Sequence, residues 1–263
     1  MENYYLNLNN YRNNIFSQNG EDGILEEVLK RLRITNKNSW CVEFGAWDGK
    51  YLSNTYNLVR NGWHGIYIEG DTNKFKDLLI TKKENKNIIA INKFVSKNQN
   101  SDDSLDKILQ KTNIPINFEI LSIDIDSYDL EVWDSIICYR PKIVIIEINS
   151  SYPPGIIKWH SEKNSNVNGN SFSATLAVGV EKGYKFIFHS GNMIFVKEEL
   201  VGMLNIDPKY LIYPELLFDD YWYSIEKNMI KKSLLRVKAF LNEKIKNKIK
   251  NKINKLISFK NIF

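Results

Sequence analysis

Apolar segments of strand length alternate with amphipathic segments of helix length over the first 150 residues. The predicted strands are Trp40–Glu43, Gly65–Glu69, Asn87–Asn92, Phe118–Asp124 and Lys142–Glu147. The helices predicted between the later strands are Asn73–Glu84, Asp103–Thr112 and Leu130–Cys138. Strands that alternate with helices predict an α/β fold with a mostly parallel sheet and right-handed crossovers.

The alternation is interrupted after residue 150 by a polar stretch, 150–170, that is rich in Pro, Gly, Asn and Ser. This composition predicts a loop at the carboxyl edge of the sheet, where open α/β folds bind ligands. Ser171 or Ser173 can cap a following helix that runs to Lys182 and stops at Gly183. Two further predicted strands form a hairpin, Tyr184–His189 and Asn192–Lys197.

The end of the first strand carries the most informative chemistry. Glu43 is followed by a turn with Gly45 and Gly49, and the second strand ends in another acid, Glu69. The spacing Glu-x-Gly-x-x-x-Gly differs from Gly-x-Gly-x-x-Gly, which argues against NAD and FAD. An ionised acid at Glu69 suits ribose hydroxyls. The simpler alternative is an ordinary turn with a solvated Glu69, but a second acid at this distance favours a nucleoside site.

Several motifs together carry a family resemblance over residues 14 to about 200. They are Ser17-Gln18-Asn19-Gly20-Glu21-Asp22-Gly23, the Glu43 to Gly49 turn, Leu52-Ser53-Asn54-Thr55, Glu69, Asp124-Ile125-Asp126-Ser127-Tyr128-Asp129 and Glu147-Ile148-Asn149. With these motifs and the final hairpin, the chain resembles the class I S-adenosylmethionine-dependent methyltransferases, and more specifically the FkbM-like group. The resemblance implies a Rossmann-like seven-stranded sheet with an antiparallel last strand, and S-adenosyl-L-methionine as cofactor.

The resemblance also implies where this methyl donor lies, across the carboxyl ends of the first, second and fourth strands. Gly45 and Gly49 would allow close approach of its methionine portion, and Glu43 would reach its amino group. Glu69 would hold the ribose.

Other parts of the donor would meet residues from three further segments. Val95 and Ser96 would lie near the adenine, and Asp124 would contact the donor at the end of the fourth strand. An amino-terminal cover would consist of Gln18, Glu21 and Asp22. The alternative is that Ser17 caps a helix whose first turn favours acids.

Four oxygen-bearing side chains follow two neighbouring strands, namely Asp124, Asp126, Glu147 and Asn149. Residues two apart on a strand point the same way, so we expect these side chains to converge. Oxygen ligands favour Mg²⁺ or another hard divalent cation, and some small-molecule O-methyltransferases hold magnesium similarly. In the competing interpretation there is no metal: Asp124 contacts the donor, Asp126 caps a helix, and Glu147 and Asn149 bind the acceptor.

Methyl transfer requires a base that removes the proton of the acceptor hydroxyl. His160 is the first candidate among the three histidines, because the neighbouring Trp159 can stack on a sugar and bind the substrate. Asp126 is the second candidate.

Charge is distributed unevenly along the chain, although its net value is only +5. Residues 229–263 contain 11 basic residues and one acid, so the rest of the chain is mildly acidic, and we expect no nucleic-acid partner. Apolar positions recur in this tail at helical spacing, which predicts a basic amphipathic helix. It can contact a membrane surface, pack on the body or support a homodimer. Neither a secretory signal nor a membrane span is recognised, and we expect a cytoplasmic protein, at the inner face of the membrane if the tail binds there.

These features predict a division of the chain and a function. The predicted parts are a cap segment (1–36), a donor-binding core (37–200), an aromatic and acidic connector (201–228) and the basic tail (229–263). The predicted function is methyl transfer to a hydroxyl of a carbohydrate or related polar precursor of surface polysaccharide. The alternative is an inactive scaffold or membrane-recruiting protein that uses the basic tail.

Overall fold

Seven strands form one mixed sheet. They are β1 (Trp40–Phe44), β2 (His64–Glu69), β3 (Ile88–Asn92), β4 (Ile120–Ile123), β5 (Ile143–Glu147), β6 (Tyr184–His189) and β7 (Asn192–Lys197). Their order in the sheet is β3-β2-β1-β4-β5-β7-β6. The first five strands pair in parallel, and β7 is antiparallel to both β5 and β6. The predicted Rossmann-like fold, with its mostly parallel sheet and antiparallel last strand, is confirmed.

The computed structural model describes residues 5–35, 38–161, 169–220 and 223–224. Contacts divide the chain into two units, residues 1–219 and 220–263, and nearly all described residues belong to the first unit. The predicted amphipathic helix 229–263 lies outside the described residues, as does part of the predicted loop, 162–168. None of the helices among the described residues has both the length and the apolar character that crossing a bilayer requires.

Helices cover both faces of the sheet. They are α1 (Glu21–Arg31), α2 (Tyr56–Arg60), α3 (Thr72–Glu84), α4 (Leu105–Leu109), α5 (Asp129–Ser135), α6 (Phe172–Glu181) and α7 (Pro208–Ile212). Successive residues of β1 alternate between two buried clusters, Cys41 in one and Val42 in the other. Because both faces of the sheet are buried, its parallel strands are almost entirely apolar.

Two helices are shorter than the sequence predicts. We expected helices over 103–112 and 130–138, and α4 and α5 instead end at Leu109 and Ser135. The buried carboxylate of Asp106 accepts hydrogen bonds from the backbone N–H groups of Ile137 (2.8 Å) and Cys138 (3.0 Å). These bonds satisfy backbone donors outside a helix, so α5 stops early. Cys138 is exposed in this segment, whereas Cys41 on β1 is buried.

The end of β6 is fastened by a buried histidine. The backbone N–H of Asp219 donates to Nδ1 of His189 (2.8 Å), so the neutral ring carries its proton on Nε2 and donates it to Ser150 Oγ (3.0 Å). Phe218 stacks on the same ring with a centroid distance of 5.1 Å. His189 thus joins the hairpin to the segment that follows β5, and its role is structural.

The pH dependence of stability tests this role. Burial, aided by Arg12, lowers the pKa of His189 from 6.5 to about 4. Between these values the unfolded chain binds more protons, so the contribution of His189 is complete above pH 6.5 and is lost as the pH falls toward 4. We expect this loss to reach about 3 kcal/mol, and to be absent in His189→Asn. Urea unfolding of both proteins from pH 7 to 4 measures it, and parallel curves would contradict the assignment.

Candidate functional site

A cleft of about 750 Å³ lies at the carboxyl ends of β1, β2 and β4. The strand order reverses between β1 and β4, because β2 and β3 extend to one side and β5 to the other. Open α/β sheets bind ligands at such a reversal point. Of the residues predicted to hold a donor, the cleft is lined by Gln18, Glu43, Gly45, Glu69, Val95, Ser96 and Asp124.

Gly45 lines this cleft, and the structure shows why a residue with a side chain does not fit at this position. Its φ is +77°, and a Cβ atom there would lie 1.6 Å from the carbonyl oxygen of Asp124. The glycine therefore lets the turn after β1 approach the end of β4. The fold itself therefore requires a glycine here, because the carbonyl of Asp124 occupies the position of a Cβ atom.

Gly49 does not line the cleft, contrary to its predicted contact with the donor. Its φ is +75°, and a Cβ atom there would come within 2.7 Å of Leu78 and 2.9 Å of Tyr67. Gly49 is thus required for packing of the turn against α3 and β2.

Glu43 is buried at the end of β1 and organises the segment before α2. Its Oε2 accepts hydrogen bonds from Ser53 Oγ (2.9 Å), the backbone N–H of Thr55 (3.1 Å) and Thr55 Oγ1 (2.5 Å). Burial raises the pKa of Glu43, and these hydrogen bonds partly offset that shift. The Ser53-Asn54-Thr55 motif thus supports the acid, a role that the sequence analysis did not assign.

Glu69 is only 6% exposed, so the alternative of a solvated strand end is wrong. Its Oε2 accepts the backbone N–H of Trp47 (2.8 Å), and its Oε1 accepts that of Asp71 (2.7 Å). Each carboxylate oxygen can accept a second hydrogen bond. Glu69 therefore holds the two loops that border the cleft and retains acceptor capacity toward it.

The loop between β4 and α5 presents a second group of acids. Asp129 is buried, and its carboxylate accepts the backbone N–H groups of Ile125 (2.7 Å) and Ser127 (2.9 Å). Burial raises the pKa of Asp129 to about 6. Asp126, held between these two residues, has a φ of +58° and lines the cleft. It does not cap α5, whose first flanking residue is Tyr128.

Asp124, Asp126 and Glu147 converge, as predicted. Each offers one carboxylate oxygen, and the three oxygens lie within 4.8 Å of one another. Burial, followed by the neighbouring negative charges, raises the pKa of both Asp124 and Glu147. Each of these two acids therefore keeps its proton to a higher pH than a free carboxyl group does.

Asn149 does not join this cluster, contrary to expectation. Its Oδ1 accepts hydrogen bonds from the backbone N–H (3.0 Å) and Oγ (2.5 Å) of Ser151. The strand ends at Glu147, so the two-residue repeat that would bring Asn149 beside Glu147 is not continued. Asn149 instead shapes the loop that follows β5.

His160 and Trp159 also lie outside the residues that line the cleft. The Nδ1 of His160 accepts the backbone N–H of Gly169 (3.2 Å), and its ring packs edge-on against Tyr128 with a centroid distance of 4.6 Å. Tyr128 itself lines the cleft. Trp159 is exposed. Of the two predicted bases, Asp126 lines the cleft, and His160 contacts it only through the ring of Tyr128.

Two residues of the predicted amino-terminal cover are placed elsewhere. The carboxylate of Glu21 is buried and accepts hydrogen bonds from Ser190 Oγ (3.1 Å) and Asn192 Nδ2 (3.0 Å), which fastens α1 to the hairpin. Asp22 and Ser17 exchange hydrogen bonds at the start of α1 (2.8 and 3.0 Å). The N-cap of α1 is Gly20 and not Ser17, although both acids lie in the first turn of the helix as that alternative expects. Of the three predicted cover residues, Gln18 lines the cleft.

Sequence reasoning missed an apolar part of the rim. Trp47, Tyr51 and Leu52 line the cleft from the loop after β1. Trp47 (φ +44°) and Leu52 (φ +57°) adopt left-handed backbone conformations, each of which costs about 1–3 kcal/mol for a residue other than glycine. Leu52 belongs to a motif on which the family resemblance rests, and this motif could have pointed to the loop. No sequence pattern, however, indicates the positive φ of Leu52.

No protein-family model matches this sequence, and no curated protein matches it. Solved structures are similar in fold at low identity. CurJ carbon methyltransferase is 9% identical with a TM-score of 0.44, and the match covers 66% of this chain and 52% of that one, so this chain spans about half of CurJ's length.

Two further structures were solved with S-adenosyl-homocysteine. TrmK of M. capricolum is 12% identical with a TM-score of 0.36 over 65% of this chain and 67% of that one. The N-terminal domain of EvdMO1 is 9% identical with a TM-score of 0.40 over 68% and 80%. Similarity this low says nothing about activity, so the function has to be inferred from the cleft itself.

Proposed function

We propose that the chain is an S-adenosylmethionine-dependent O-methyltransferase that methylates a hydroxyl of a carbohydrate or related polar precursor of surface polysaccharide. This is the activity implied by its resemblance to the FkbM-like group. The observation that carries the proposal is the cleft at the strand-order reversal, with the buried Glu69 at one end and the Asp124–Asp126–Glu147 cluster at the other. One end suits a ribose and the other a hydroxyl that must lose its proton.

The donor end of the cleft fits a nucleoside in size and chemistry. A volume of about 750 Å³ lies within the range of small-molecule sites. The free acceptor capacity of Glu69 suits the two ribose hydroxyls, and Val95 offers an apolar surface for adenine. When bound, S-adenosylmethionine supplies an electrophilic methyl group.

At the acceptor end, Asp126 is the residue best placed to take the hydroxyl proton. It is exposed to the cleft, whereas burial and the neighbouring negative charges raise the pKa of Asp124 and Glu147 and so favour their protonated forms. Asp124 and Glu147 can orient the hydroxyl by hydrogen bonds while Asp126 accepts the proton.

The same three oxygens fit a hard divalent cation, because carboxylates are its preferred ligands and one ion can reach all three. Asp124, Asp126 and Glu147 would hold it, without Asn149. Such an ion would lower the pKa of the acceptor hydroxyl and neutralise the clustered charge.

Glu69 provides the test of the donor site. We expect Glu69→Gln to weaken S-adenosyl-homocysteine binding at least about tenfold, because a neutral amide replaces a charge-assisted hydrogen-bond acceptor. Isothermal titration calorimetry measures the dissociation constant. The matched control is Glu181→Gln, an exposed acid at the end of α6, which should bind like the wild type. A wild-type protein without micromolar binding would contradict the proposed function.

Two variants separate the candidate bases. Asp126→Asn should lower kcat by about 100-fold, the scale of a lost general base, while its affinity for S-adenosyl-homocysteine stays within about threefold. His160→Gln should retain at least a third of the activity, because His160 contacts Tyr128 and does not itself line the cleft. Single-turnover methylation of a carbohydrate panel measures both. The reverse ranking would restore His160 as the base.

Removal of divalent ions tests the cation. If the carboxylates hold it, EDTA should lower turnover at least about tenfold and added Mg²⁺ should restore it. Glu147→Gln should then require a higher Mg²⁺ concentration for half-maximal rate. Turnover that EDTA does not change would contradict the cation and would leave Asp126 as a base that acts without a metal ion.

A further inference from the structure

The loop after β1 exposes apolar side chains that the packing of the protein does not explain. Trp47 is 43% exposed, Tyr51 62% and Leu52 40%. Two of them, Trp47 and Leu52, occupy left-handed backbone conformations that bulky residues rarely adopt. A strained backbone that presents apolar groups to solvent gains nothing for folding, and such strain concentrates at binding sites.

Trp47 and Tyr51 also border a second depression, here called the shelf. The shelf is a shallow depression with a volume of about 580 Å³. It shares Trp47 and Tyr51 with the cleft and continues to Ile80 on α3. The rings of Trp47 and Tyr51 meet edge-on with a centroid distance of 5.6 Å. Lys74 places its ammonium group 4.8 Å from the Trp47 ring centroid. The shelf is therefore an aromatic corner that is continuous with the proposed reaction site.

Polar groups limit what can bind there. Asp77 is exposed at the edge of the shelf, and Asp48 and Lys50 lie beside it. Lys50 pairs with Glu84, and Asp48 Oδ1 accepts backbone N–H groups of the loop, so these two groups are fixed. Aromatic rings beside fixed polar groups match a ligand with an apolar face and hydroxyls at its edges, which describes a pyranose ring. A purely apolar partner would remove water from the exposed carboxylate of Asp77.

We propose that the shelf binds a second sugar unit of the acceptor, so that the substrate is an oligosaccharide rather than a monosaccharide. This inference rests on the proposed function. The cleft then holds the donor and the reacting unit, and the neighbouring unit stacks on Tyr51 and Trp47.

The test compares glycans of different length. The probes are an array of immobilised di- and trisaccharides and the corresponding monosaccharides, with the full-length protein saturated in S-adenosyl-homocysteine. We expect the wild type to bind at least one oligosaccharide about tenfold more tightly than its reacting monosaccharide, the scale of one stacked ring. Tyr51→Ala should remove that gain, so that the oligosaccharide and the monosaccharide bind about equally tightly.

Three further variants control for the fold and for the cofactor. Leu52→Gly removes an exposed side chain at a position whose positive φ glycine accepts without strain. Leu52 lines the cleft and not the shelf, so this variant should keep the preference for the oligosaccharide. Ile80→Ser touches only the shelf, and its affinity for S-adenosyl-homocysteine should equal that of the wild type. Tyr213→Ala removes an equally exposed tyrosine from another surface and should change nothing.

The outcomes separate the two proposals. Two results would contradict sugar binding at the shelf and leave the methyltransferase proposal intact. In the first, the wild type binds S-adenosyl-homocysteine but no oligosaccharide. In the second, tighter oligosaccharide binding persists in Tyr51→Ala. Protein that binds no S-adenosyl-homocysteine would overturn both.

Discussion

The close approach of two backbone segments underlies the whole site. The turn at Gly45 meets the carbonyl of Asp124 where any side chain would collide with it. Because of this contact, the ends of β1 and β4 can stay adjacent beyond the last strand pair, between Phe44 and Ile123. The acids that follow these strands then face one cleft. An alanine at position 45 would force the two loops apart before it met any ligand.

Buried carboxylates hold the loops around that cleft. Glu43 supports the segment before α2, Glu69 fixes the turns after β1 and β2, and Asp129 shapes the loop after β4. Each acid accepts backbone or hydroxyl donors that would otherwise be unsatisfied in a buried position. The acids that the sequence analysis assigned to ligand contacts thus accept most of their hydrogen bonds from the protein itself. Only their remaining acceptor capacity is available to a ligand in the cleft.

The hydrophobic periodicity of the sequence predicts correctly those elements whose structure depends only on burial. The strands of the sheet and the Ser171 cap of α6 follow from apolar runs and a capping residue. The ends of α4 and α5 could not be predicted, because they depend on Asp106, whose partners are about thirty residues away. Long-range hydrogen bonds of this kind leave no local pattern.

The same distinction explains the outcome at the site. Asp124, Asp126 and Glu147 were expected together because adjacent parallel strands end at one edge, and that rule needs only the strand order. Asn149 and Gly49 were misplaced because their directions depend on turns, where a change of one φ angle redirects a side chain. Trp47 and Leu52 show the opposite error, because they were not expected at the site and line it. Their positive φ angles bring to the rim apolar side chains that would be buried in a regular helix or strand. Residues on regular elements are therefore predictable from the sequence, whereas residues on strained loops such as Trp47 and Leu52 are not.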